Sequence, residues 1–248
     1  MLLTGQVAVI TGGGRGIGRA IALKFAREGA AVVVAARTKS EIEAVAKEIR
    51  DAGGRAAAVP GDVADEKFCD HLIRVSEAEF GRVDILVNNA GLTDGGPLTE
   101  MSVETWDKVM AANLRGPFLC TRSAMRIMKA QGGGRILNIG SISAQRPRLN
   151  SAPYATSKFG LWGLTVVTAL EGRELGISAC CLHPGNVSVE GSAQELGDLT
   201  GIPDYASEPK MKAEEIAEVA TLMACLPPHM NMLEAIVLPV KQAYLGRG

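Results

Sequence analysis

Gln6-Val7-Ala8-Val9-Ile10-Thr11 runs directly into Gly12-Gly13-Gly14-Arg15-Gly16-Ile17-Gly18. Val7 to Ile10 are apolar without alternation, as a strand covered on both faces should be. The glycines that follow permit a tight turn and let backbone N–H groups approach a phosphate. A helix over roughly 16–28 then starts where its N-terminal dipole favours an anion. The spacing Gly12-x-x-x-Gly16-x-Gly18 differs from the G-x-G-x-x-G register, and no Gly-Lys-Ser/Thr follows, so it is not a P-loop.

Outward from this unit the pattern repeats. Strands are expected at 30–36, within RAAAVPGDV, at 83–89, at 135–141, in ISACCLHP and at 234–240. Helices are expected at about 39–52, 65–80, 102–130 (in one or two pieces), 153–174 and in EEIAEVATLMACL. Strand–helix–strand alternation implies right-handed crossovers and a doubly wound α/β fold. One Rossmann-type domain over residues 1–248 is expected, with about seven parallel strands flanked by helices on both faces. The stretch at about 186–212 is irregular and rich in Gly, Ser, Asp and Pro. It reads either as a substrate-covering loop or as a passive surface excursion.

The end of the second strand bears on the cofactor. An enzyme using NAD places an acid there for the ribose 2′-hydroxyl. Here Ala35-Ala36-Arg37-Thr38 has none. Arg37, with Arg15 in the turn, suits a 2′-phosphate, so NADP(H) is expected over NAD(H).

Tyr154 and Lys158 are four apart at the start of a helix and share one face. An ammonium beside a phenol favours the phenolate and should draw the tyrosine pKa down toward neutrality. Such a tyrosine can protonate an alkoxide or deprotonate an alcohol. Ser141 closes the preceding strand, at the crevice edge, where its hydroxyl can hold a substrate oxygen.

With TGGGRGIG (11–18), Asp62-Val63, Asn88-Asn89-Ala90-Gly91, Asn113, Ser141, Tyr154 with Lys158, and Pro184-Gly185-Asn186-Val187-Ser188 in this order, residues 5–240 resemble the classical short-chain dehydrogenase/reductase family. The resemblance is to its NADP-preferring, 3-oxoacyl-carrier-protein-reductase-like members. It implies a catalytic set of Asn113, Ser141, Tyr154 and Lys158. It implies cofactor contacts from Gly12, Gly14, Arg15, Gly16, Ile17, Gly18, Arg37, Asp62, Val63, Asn89, Ala90, Gly91, Tyr154, Lys158, Pro184, Gly185, Val187 and Ser188. By the same resemblance Asn113 bends its helix and holds a water linking Lys158 to solvent. Asn88 reads chiefly as a link between strands, His183 as structural, and Asp62 as either an adenine contact or a turn-forming acid. The family's usual Asp-Gly-Gly after the last strand is missing from 234–248.

Composition narrows the alternatives. A net charge of −1 and 4% aromatic residues argue against nucleic acid and an anionic membrane surface. No apolar run is long enough to span a bilayer, and no charged n-region precedes the first strand, so a cytoplasmic location is expected. Three scattered histidines and five cysteines without C-x-x-C spacing give no metal site, and Cys180 and Cys181 read as buried small apolar residues.

The expected activity is hydride transfer between NADP(H) and a carbonyl or secondary alcohol. The substrate is open between a 3-oxoacyl thioester and another ketone. Arg146 and Arg148 are either receptors for an anionic group or solvated loop charges. The competing class is a nucleotide-binding regulatory or scaffold protein with vestigial chemistry. The helix at 157–175 is apolar around most of its circumference, which predicts a homodimer or homotetramer, with Leu161, Thr165 and Ala169 on the outward face.

Overall fold

A computed structural model describes residues 1–189 and 207–244. The elements in chain order are β1 (Val7–Thr11), α1 (Gly16–Arg27), β2 (Ala31–Ala36), α2 (Lys39–Asp51), β3 (Arg55–Pro60) and α3 (Glu66–Phe80). They continue with β4 (Ile85–Asn88), α4 (Val103–Met110), α5 (Gly116–Gln131), β5 (Gly134–Ile139), α6 (Ala152–Gly172) and β6 (Ile177–Pro184). The last are β7 (Val187–Ser188), β8 (Met211–Lys212), α7 (Ala213–Ala224) and β9 (Glu234–Val237). Seven parallel strands form one sheet in the order β3-β2-β1-β4-β5-β6-β9. β1 pairs with both β2 and β4, so the order reverses beside β1, and a crevice opens at the carboxyl ends of β1 and β4.

The continuous apolar strands are explained by two cores. Ile10, Val34 and Leu137 pack on one face against Phe25 of α1, Ile42 of α2 and Ile216 of α7. Their neighbours Val9, Val33 and Ile136 pack on the other against Leu72 of α3 and Leu119 of α5. Alternate side chains point to opposite faces, and both faces are dry. Cys180 and Cys181 are fully buried in β6, and burial pushes both thiols up to about 12, consistent with small apolar fillers.

Two sequence expectations shift. The last strand ends at Val237 rather than 240, since Pro239 has no N–H for a ladder. The outward face of α6 is also not the expected one. Leu161 and Thr165 are 1% and 0% exposed against the protein's own core, whereas Phe159, Val167 and Leu170 are exposed.

Asn88 links strands as expected. Its Nδ2 donates to Thr121 Oγ1 (3.1 Å) and Asn138 Oδ1 (2.8 Å), and Asn138 Nδ2 donates to Thr165 Oγ1 (2.8 Å). These groups are buried among β4, β5, α5 and α6. Asn138→Ala removes an acceptor and a donor together, and should lower unfolding free energy by about 2–3 kcal/mol. Urea titration checks this.

Candidate active site

The glycine turn is shaped by close approaches. Gly12 and Gly16 have φ of 64° and 55°, and a Cβ on Gly18 would lie 2.2 Å from the Gly12 carbonyl oxygen. Thr11 Oγ1 accepts from the N–H groups of Asn89 (3.1 Å) and Ala90 (3.1 Å). Asn89 Nδ2 donates to the carbonyls of Thr11 and Gly12, each at 3.0 Å. The Asn89 amide therefore locks the turn onto the end of β4 as well as standing on the crevice wall. Arg15 caps α1 without any side-chain hydrogen bond to its N–H groups. Those donors face a cavity of about 730 Å³, the setting in which a pyrophosphate is held.

Gly12, Gly14, Arg15, Gly16, Ile17, Arg37, Asp62, Val63, Asn89, Ala90 and Gly91 line one end of this cavity. Ser141, Tyr154, Lys158, Pro184, Gly185 and Val187 line the other. Arg15 and Arg37 are both exposed, and neither makes an ion pair or side-chain hydrogen bond among the described residues. Asp62 forms the turn, its Oδ1 accepting from Ala64 N–H (2.9 Å), and it also lies on the cavity wall.

Three expected site residues do not reach the cavity. Gly18 acts behind it, by making room for the Gly12 backbone. Ser188 pairs with Lys212 in the β7–β8 ladder, and strand alternation gives the cavity Val187 and Val189 instead. Asn113 stands behind the wall. A π turn at Ala111–Arg115 interrupts the helix around it, and its side chain is committed elsewhere. Asn113 Oδ1 accepts from Leu92 N–H (2.7 Å), and Nδ2 donates to Leu92 O (2.9 Å) and Ser157 Oγ (3.1 Å). Ser157 Oγ in turn donates to Tyr154 O (2.6 Å), so Asn113 ties α6 to the chain leaving β4.

At the centre, Ser141 is hydrogen-bonded to the Tyr154 hydroxyl, and its Oγ accepts from Ser143 N–H (3.1 Å). Lys158 Nζ donates to Ile139 O (2.8 Å) and lies 5.6 Å from the centroid of the Tyr154 ring. Burial outweighs the expected phenol–ammonium effect. Burial raises the Tyr154 pKa above its ordinary value, with the Ser141 hydrogen bond opposing, while burial lowers Lys158 to about 8. Tyr154 is thus a protonated phenol at neutral pH, suited to giving a proton.

Glu41 carried no sequence signal, and the 184–188 motif carried none for the contacts of its Asn186. Glu41, from the first turn of α2, brings a carboxylate to the Arg37 end. Asn186 joins four segments: its N–H donates to Gln242 Oε1 (2.9 Å), its carbonyl accepts from Met211 N–H (2.9 Å), its Oδ1 accepts from Arg148 (3.1 Å), and its Nδ2 donates to Glu208 (2.5 Å). Arg148 also pairs with Glu208 at 3.0 Å in the cavity wall, while Arg146 is exposed. A Cβ on Gly185 would lie 2.2 Å from Gln242 Oε1, so the tail beyond β9 packs directly on the 184–188 segment. Of the expected substrate loop, residues 190–206 lie outside the described residues; its two ends meet in the β7–β8 pairing.

Comparison with known proteins places these features in a family. The short chain dehydrogenase family profile matches residues 6–198. A 3-oxoacyl-[acyl-carrier-protein] reductase of Synechocystis is 40% identical over 189 residues, 76% of each chain. An uncharacterized oxidoreductase of Bacillus subtilis is 38% identical over 195 residues, 79% of this chain and 76% of its own. A metagenomic short-chain oxidoreductase crystallised with NADP superposes with a TM-score of 0.82 at 34% identity, covering 96% of this chain and 99% of that one.

Proposed function

The chain belongs to the short-chain dehydrogenase family, and on that premise we propose that this cleft binds NADPH and reduces a carbonyl group at Ser141 and Tyr154. It is an oxidoreductase acting between a carbonyl and a secondary alcohol. One observation carries the assignment of the centre: Ser141, Tyr154 and Lys158 converge at one end of the cavity whose other end is the uncapped N-terminus of α1. The NADP bound by the metagenomic relative supports the cofactor, as do Arg15 and Arg37.

NADPH, when bound, supplies the hydride. The chain's residues manage position and protons. The α1 N–H groups receive the pyrophosphate, Asp62 and Val63 flank the adenine, and Arg15 and Arg37 meet the 2′-phosphate. Pro184, Gly185 and Val187 border the nicotinamide. Ser141 Oγ holds the substrate oxygen while Tyr154 gives it the phenolic proton; in reverse, Tyr154 takes a proton from the alcohol. Lys158 holds the nicotinamide ribose, and Asn113 keeps α6 in register with the wall. The substrate is a 3-oxoacyl thioester or another ketone. The competing regulatory reading requires vestigial chemistry, whereas the serine, tyrosine and lysine are all present and adjacent. NADPH oxidation across a carbonyl panel tests the proposal.

Lys158 makes binding pH-dependent. With its pKa at about 8 in the cofactor-free chain, and the ammonium favoured once ribose oxygens and an anionic nucleotide are present, NADPH binding should take up protons above that pH. Affinity should fall as pH rises past 8, by at most about tenfold per unit. Calorimetry in buffers of different ionisation enthalpy reads the proton uptake, and Lys158→Met should abolish it.

The assembly is a homodimer or homotetramer, and the described residues support this with Phe159, Val167 and Leu170, apolar and exposed on α6. Leu170→Glu should move the sedimentation coefficient toward that of a 26.0 kDa species. A wild type that sediments as the monomer at micromolar concentration contradicts this assembly. No helix among the described residues is long and apolar enough to cross a membrane, and a cytoplasmic site of action is the proposed location.

A further inference from the structure

His183, at the end of β6, is fully buried beneath Ser141. Its Nδ1 lies 2.9 Å from the carbonyl oxygen of Ser141 and 3.3 Å from the Ser141 backbone nitrogen. The backbone here is pressed against the ring: a Cβ on Gly140 would lie 2.6 Å from Nδ1. The opposite ring nitrogen, Nε2, faces Glu234 Oε1 of β9 at 3.5 Å. Glu234 is held in turn by Gln145, whose Nε2 donates at 2.6 Å and whose Oε1 accepts from the Tyr244 hydroxyl. Trp162 of α6 closes the side of the ring, edge to face at 5.8 Å. A chain of polar contacts thus runs from the C-terminal tail to the backbone of Ser141.

We propose that His183 is a positioning residue for Ser141: its ring, keyed to Glu234, fixes the Ser141 backbone and so the placement of the hydroxyl against Tyr154. The proposal rests on the reading of Ser141 and Tyr154 as the reaction centre. The geometry supplies the argument. Nδ1 meets two groups of the Ser141 backbone: it can accept from the N–H or donate to the carbonyl, which also accepts from Ala144 N–H (3.0 Å). With the neutral ring's proton on Nε2, that edge faces the Glu234 carboxylate and Nδ1 accepts from Ser141 N–H. A second proton, on Nδ1, replaces that acceptor by a donor aimed at the Ser141 carbonyl and makes the Nε2 contact charge-assisted.

The charged groups acting on the ring are Glu234 from β9 and Lys158 from α6. Burial lowers the His183 pKa, the Ser141 carbonyl and Glu234 raise it, and Lys158 opposes the charge. The net result lies below the ordinary imidazole range, so the second proton arrives on the acid side. Turnover should then show a step as pH falls through the His183 titration. In Glu234→Gln the carboxamide oxygen still accepts from Nε2–H, but the charge assistance to the second proton is lost, and the step should move further to the acid side.

The test uses full-length protein, NADPH and 2,3-butanedione as the probe carbonyl, with single-turnover rates measured from pH 5 to 8, a range spanning about 1.5 units either side of an unperturbed imidazole. His183→Leu should slow turnover by about tenfold, the scale of one lost buried hydrogen bond, with NADPH affinity unchanged. His183→Asn, whose carboxamide can still accept from or donate to the Ser141 backbone, should recover most of that loss and show no acid-side step. Histidine NMR gives a readout free of turnover: the His183 titration should move further down in Glu234→Gln. The proposal is overturned if His183→Leu turns over like wild type. It is equally overturned if His183→Asn is as slow as His183→Leu, or if Glu234→Gln leaves the His183 titration and the step in place. Absence of wild-type turnover on every carbonyl tried instead overturns the reading of the site, and this proposal with it.

Discussion

Tyr154→Phe should slow the chemical step by a factor of about 10² or more while leaving NADPH affinity nearly intact. The substitution removes one oxygen and keeps the ring, which lines the cavity at its Ser141 end. Ser141 keeps its Ser143 contact but loses its hydrogen bond to the phenol. The developing alkoxide then has no side-chain proton donor, since Lys158 is directed at the Ile139 carbonyl. Because burial raises the Tyr154 pKa, the wild-type phenol stays protonated through neutral pH. Carbonyl reduction should therefore hold its rate there and decline on the alkaline side, whereas alcohol oxidation should rise with pH. Stopped-flow rates and a cofactor titration on both proteins separate chemistry from binding, and wild-type turnover in the variant would remove Tyr154 from its role.

Replacing Ala36 by Asp and Arg37 by Ser together should reverse the cofactor preference. Arg37 directly follows β2, exposed and without a side-chain partner among the described residues, on the rim that also carries Arg15. A 2′-phosphate carries close to two negative charges. A charge-assisted hydrogen bond contributes roughly 1.5–3 kcal/mol, or one to two decades of affinity. Two features hold the effect to the low end: exposure screens the contact, and Glu41 places a carboxylate on the same rim. Two cations against one anion still favour the phosphate, and wild type should bind NADPH at least about tenfold tighter than NADH. In the double variant an acid stands at the end of β2, where it repels phosphate and suits a ribose hydroxyl, so NADH should bind more tightly. Equal wild-type affinities would contradict the cofactor assignment.

The fold was legible because a parallel sheet buried on both faces writes continuous apolar strands, and the glycine turn marks which strand is first. The centre was legible for a different reason: Ser141, Tyr154 and Lys158 sit at fixed positions relative to a strand end and a helix start. What escaped depends on groups distant in sequence. Asn186 and Gln242 are 56 residues apart, and nothing local in either stretch signals their contact. Ser188 was carried over by resemblance, but strand alternation turns Val187 and Val189 to the cavity instead. The outward face of α6 was misjudged because a helix apolar on every side does not declare which side meets the sheet. The tyrosine–lysine pair was read as a charge effect, yet burial outweighs it at both groups.

The central claim is tested most directly by supplying NADPH dideuterated at C4 of the nicotinamide to the wild-type protein with a panel of ketones, 3-oxoacyl thioesters among them, and weighing the products. Deuterium should appear on the carbinol carbon of at least one alcohol, and Tyr154→Phe should suppress that product without loss of cofactor binding. NADPH bound stoichiometrically, with no deuterated alcohol from any carbonyl, would contradict the account and return the chain to the class of nucleotide-binding proteins without catalysis.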